Sequence, residues 1–79
     1  MEASALVESV RAASRLPAPR DRRRIREKAG VSQRLLAGAI PVSVMTLNRW
    51  ERGLVRPRGQ NAAAYAALLE QLEDATTAA

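Results

Sequence analysis

The sequence contains no cysteine and no histidine. The first absence removes disulfides and thiolate metal sites. The second removes the commonest metal ligand and the usual general base. Asp, Glu and Ser remain, but in no dyad or triad pattern, so the chain is expected to be no enzyme and to need no metal or cofactor. Aromatic residues are as scarce: Trp50 and Tyr65 are the whole set, which argues against gripping single-stranded nucleic acid by base stacking. No apolar run approaches the ~20 residues of a membrane-spanning helix, and no signal peptide opens the sequence. The expectation is a soluble cytoplasmic protein with no membrane contact.

Positive charge is what the sequence has in plenty. The net charge is +5, but all 13 Lys and Arg lie between Arg11 and Arg58, against Asp21, Glu27 and Glu51. That stretch carries +10; Glu2, Glu8, Glu70, Glu73 and Asp74 give the flanks −5. A basic centre between acidic ends suits a polyanion held on one face; a solvated arginine-rich surface is the plain alternative. With 79 residues, one domain (1–79) is expected. A chain so short buries only about 60–65% of its unfolded surface, which favours a helical fold rich in local contacts.

Five helices are expected and no strand. The first spans about 3–15, with Ala3, Leu6, Val7, Val10 and Ala13 on one face; Pro17 and Pro19 end it. The second spans 19–29, starting at Pro19 and closed by Gly30. Ile25 and Ala29 form its narrow apolar stripe, with the stem of Arg22. Ser32 caps the third helix, whose core residues are Leu36, Ala37 and Ile40, with Leu35 partly exposed. Gly38 costs that helix roughly 1 kcal/mol relative to Ala, unless it lets another backbone approach. Pro41 and Val42 make a turn, Ser43 caps the fourth helix (44–52), and Gly53 ends it. The fifth, 60–74, carries the stripe Ala62, Tyr65, Ala66, Leu69 and Leu72. Residues 75–79 read as a frayed tail.

Two short helices joined by a tight turn, the second closed by glycine, are the sequence form of a helix-turn-helix, which lays its second helix in the major groove of DNA. At 100° per residue, Leu47 and Trp50 set that helix's inner direction. Met45, Asn48, Arg49 and Arg52 then look outward, with Val44 at the edge. The N-terminal part of such a face meets base edges, which singles out Val44, Met45, Asn48 and Arg49. Arg49 can donate two parallel bonds to guanine, Asn48 can pair with adenine, and Val44 and Met45 can pack on thymine methyls. Met45 as partial core, as surface filler or as part of a hydrophobic partner surface stays open. Phosphate contacts are expected from Gln33, Arg34, Arg52, Arg56, Arg58 and Asn61, setting register and salt dependence. For Arg20, Arg23 and Arg24, phosphate contact and a solvated outer face both remain open.

The run Arg26-Glu27-Lys28-Ala29-Gly30-Val31-Ser32-Gln33, then Leu36-Ala37, Val42-Ser43, Thr46-Leu47 and Arg49-Trp50-Glu51-Arg52-Gly53, resembles the Cro/C1 (Xre) helix-turn-helix family of phage repressors and bacterial regulators. The likeness covers about 21–69, and Arg56-Pro57-Arg58-Gly59-Gln60-Asn61 before an Ala/Tyr/Leu helix resembles small actinobacterial and phage members. The resemblance implies an all-α, five-helix lambda-repressor-like domain at 21–72 with an extra N-terminal helix. It implies a nucleoid-associated regulator of double-stranded DNA. It makes Gln33 a phosphate binder that also braces the recognition helix, and Arg26 and Glu51 a structural ion pair. Two departures weaken any transfer of operator preference: Pro41 stands where the family usually has Gly, and Val44 and Met45 stand where polar readers are common. The first helix either completes the monomer, favoured by the short 16–19 linker, or pairs with its copy in a homodimer. A different class of function, a protein-interaction module such as an antitoxin or adaptor, would use the same fold to bind a protein partner.

Overall fold

Local signals place the helix ends. The computed structural model describes residues 3–78, apart from the side chain of Ser9, and its helices are α1 (Ala3–Arg15), α2 (Pro19–Lys28), α3 (Gln33–Ala39), α4 (Val44–Glu51) and α5 (Gly59–Ala78), with no strand among the described residues. Pro19 opens α2, where its missing N–H and fixed φ cost nothing. Ser32 Oγ accepts the amide of Leu35 and Ser43 Oγ that of Thr46, each at 3.0 Å, so α3 and α4 both begin on a serine cap. Gly53 ends α4 at φ +73°, and a Cβ there would meet Pro19 Cγ at 3.2 Å. Both the backbone and the packing therefore call for glycine.

Around α5 the other helices assemble: α1 and α2 lie against it, α4 packs on α2, and α3 packs on α4. The core joins Ile25 of α2, Leu36 and Ala37 of α3, Ile40, Leu47 and Trp50 of α4, and Tyr65 and Leu69 of α5. Val42 packs against it from the turn. Its amide donates to the Ala37 carbonyl at 2.8 Å, and the Ile40–Pro41 peptide is cis. The Trp50 and Tyr65 rings stack at 4.9 Å between centroids.

Two expectations need correction. The α1 stripe does not seal α1 onto the domain: Leu6, Val7 and Val10 are 55%, 47% and 63% exposed, while Ala12 is fully buried. Ala12 lies more than about 100° around the helix from each of them. The linker sets this rotation. Leu16 packs on the core and Arg22 Nε holds the Pro17 carbonyl at 2.7 Å. Ala12 shares the face of Leu16 one turn away, and its methyl-sized side chain allows a close helix–helix approach. The second correction concerns the C-terminal end, where α5 continues through residues 75–78 instead of fraying after 74. Thr76 Oγ1 reaches back to the carbonyls of Leu72 and Glu73 at 3.1 and 3.0 Å. Ala79 lies outside the described residues.

Gly38 is not a point of close approach, since a Cβ there meets nothing within 4 Å. Gly38→Ala is expected to stabilise the fold by roughly 1 kcal/mol through helix propensity, read as a higher midpoint in urea at unchanged slope. Tyr65 offers a second test. Its hydroxyl is buried with no hydrogen-bond partner among the described residues. Burial, with the Glu51 charge second, pushes the phenol well above its ordinary 10.0. The unfolded chain therefore releases that proton before the folded one, and stability falls as pH rises through 10.0, by up to about 1.4 kcal/mol per pH unit. Tyr65→Phe should leave neutral-pH stability equal or higher and remove this alkaline loss; denaturant curves at pH 7 and above 10 read both.

Candidate nucleic-acid interface

The outer face of α4 is held in place from within. Leu47 is 0% and Trp50 3% exposed, which fixes the inward direction of the helix. Glu51 is buried beside them and ion-paired with Arg26 of α2. Arg26 grips its carboxylate with Nε at 2.5 Å and a terminal nitrogen at 3.0 Å, a bidentate geometry that only the planar guanidinium supplies. The other terminal nitrogen donates to the Val31 carbonyl at 2.9 Å, between α2 and α3. The hydrogen bond to Glu51 raises the pKa of Arg26, so the guanidinium stays charged at any working pH. Gln33 Nε2 adds a third donor to Glu51, at 3.0 Å. One carboxylate on α4 thus gathers α2 and the first residue of α3.

Arg22 is a second clamp. Besides holding the Pro17 carbonyl, it donates to the Trp50 carbonyl at 3.2 Å near the C-terminal end of α4. Half burial lowers its pKa by desolvation, with Tyr65 opposing weakly. Sequence reasoning gave Arg22 only an aliphatic packing role. Its spacing from Ile25, three residues on, was the available signal that its head enters the interior side.

Outside this frame, Val44, Met45 and Arg49 are exposed and Asn48 is half-buried. Asn48 shares an open hollow with Ser32, Gln33 and Arg52, so the start of α3 and the outer edge of α4 form one surface. Arg52 also borders a shallow groove with Arg20, Arg23, Arg24 and Lys28 of α2. Within it Arg23 pairs with Glu27 at 3.2 Å, and Arg24 pairs with Asp21 outside it at 3.5 Å, both in solvent. Arg34, Arg58 and Asn61 are exposed. Arg56, also exposed, borders a separate hollow beside Leu16, Pro19 and Arg22, near the α1–α2 linker. The cations thus flank α4 on more than one side instead of converging on a small pocket, a form suited to an extended polyanion. Removing one partner of the buried pair, as in Glu51→Ala or Arg26→Ala, should strand a charge and cost about 3–5 kcal/mol. Urea denaturation followed by Trp50 fluorescence measures that loss.

The helix-turn-helix family matches residues 23–73, most of the chain, from within α2 to within α5. No curated protein and no solved structure gives a significant match. No helix among the described residues is long and apolar enough to cross a membrane. With five helices among the described residues, buried Leu47 and Trp50 and outward Met45 and Arg49, the chain belongs to the helix-turn-helix family, as a small all-α domain of the Xre/Cro kind.

Proposed function

We propose that the protein is a sequence-specific double-stranded DNA-binding regulator, lambda-repressor-like in arrangement and of the phage or mobile-element repressor or control type. In this reading α4 enters the major groove. Val44, Met45, Asn48 and Arg49 meet base edges, while Gln33, Arg34, Arg52, Arg56, Arg58 and Asn61 meet phosphates. The observation that carries the reading is the two-sidedness of α4. Its inner face is locked by Leu47, Trp50 and Glu51, while Met45 and Arg49 remain open to solvent. Gln33 keeps a second amide hydrogen beyond the one given to Glu51, so bracing α4 and donating to a phosphate are compatible roles. A two-fold dimer would set two such helices ~34 Å apart, on half-sites one turn apart.

The exposed apolar side chains outside α4, Leu54 and Val55 together with the α1 stripe, favour a second reading as a protein-interaction module. Fluorescence anisotropy on random duplex DNA at two salt concentrations separates the two. DNA binding driven by phosphate contacts weakens steeply with salt, and a protein-only module shows no such response. Under the DNA reading, Arg49→Ala relaxes preference at one base pair, at about 1–3 kcal/mol of discrimination. Arg56→Ala weakens all duplexes alike and makes the salt slope shallower. Unchanged binding in both variants would refute the docking arrangement.

A further inference from the structure

The first turn of α4 has an unusual make-up for a surface meant to read bases. Ser43, its cap, is committed twice over: Oγ accepts the Thr46 amide at 3.0 Å and donates to Thr46 Oγ1 at 2.9 Å. Thr46 is half-buried and turned toward that contact. Gln33 of α3 gives one amide hydrogen to Glu51 and borders the hollow with Asn48 and Arg52, further along α4 than Val44 and Met45. What the first turn presents to solvent is Val44, 42% exposed, and Met45, 62% exposed. Valine has no hydrogen-bonding group, and the thioether of methionine is only a weak acceptor. Asn48 and Arg49, which can read hydrogen-bond patterns, lie a turn further along.

We infer that Val44 and Met45 form a methyl-sensing subsite, one that detects a 5-methyl group on a pyrimidine in the major groove without identifying the base that bears it. The inference rests on the DNA-reading proposal above and deepens it. Thymine projects its C5 methyl into the major groove, and 5-methylcytosine carries the same group on the same ring carbon. The two bases differ at C4, one an acceptor and the other a donor, and an apolar pair has nothing with which to tell acceptor from donor. At this end of the half-site, thymine and 5-methylcytosine are therefore alike as ligands, and uracil and cytosine are alike in lacking what is sensed. Affinity then responds to cytosine methylation within the site.

The test begins with a duplex enriched by the wild-type protein from a random pool. Each thymine in turn is replaced by uracil, and at any sensitive position cytosine and 5-methylcytosine, paired with guanine, are compared as a second couple. Loss of the methyl from thymine should weaken binding roughly fourfold, the effect of one buried carbon, at one or two positions per half-site. Its gain on cytosine should strengthen binding by the same factor. In Val44→Ala, Met45→Ala and the double variant, with helix content checked by circular dichroism, those ratios should fall toward one. Wild-type ratios of one at every thymine overturn the inference, as does a methyl effect that survives all three variants or occurs for thymine and not for cytosine. Failure of the wild-type protein to bind any duplex removes the underlying DNA reading as well; intact binding that ignores methyl groups removes this inference alone.

Discussion

The Glu51 carboxylate is the point on which the arrangement turns. It sits on α4, is clasped by Arg26 from α2 and touched by Gln33 from α3. Desolvating two charges is costly, and a buried pair is weak grounds for claiming net stability. Its value here is positional. α4 is 8 residues long, about 12 Å, too short to be stable as an isolated helix. Its rotation and its distance from α2 and α3 must come from tertiary anchors. Leu47 and Trp50 supply an apolar anchor that tolerates small rotations; the bidentate pair tolerates far less.

Other contacts extend the same constraint. Arg22 ties the α4 C-terminal end to the linker that leads into α2. The Trp50–Tyr65 stack carries it to α5. The outer face of α4 is available because its inner face is so heavily committed. The serine caps complete the design at the other end. Ser43 satisfies the first turn of α4, and the side chains that turn leaves exposed are the apolar Val44 and Met45.

The helices and the inner face of α4 could be read from residue order. Proline at 17, 19 and 41, serine at 32 and 43, and glycine at 30 and 53 act over a few residues, so their effects on helix ends are local. The 3.6-residue periodicity of Leu47 and Trp50, and of Tyr65, Ala66 and Leu69, needed only a helix and a single core to be interpreted. The ion pair between Arg26 and Glu51, 25 residues apart, came from family likeness, since nothing local links the two. Arg22 was harder still. A half-buried arginine and a solvated one look the same in composition, and only the position of the Trp50 carbonyl distinguishes them.

α1 shows most clearly where residue order stops. A stripe of Leu6, Val7 and Val10 states which side of a helix would gain from burial. It does not state whether the rest of the molecule has a surface left to cover it. The linker geometry, with Leu16 on the core and Pro17 held by Arg22, rotated the small Ala12 side inward and left the stripe in water. The onward course of α5 past residue 74 rests on helix-favouring alanine and on the Thr76 hydroxyl bonding back to carbonyls of its own helix, a local signal that the position near the end of the sequence masked. Short-range rules wrote the elements and the amphipathic sense of α4; the relative rotation of helices, the use of Arg22 and the surfaces left bare were settled by packing, because each depends on atoms distant in sequence that meet only when the chain has folded.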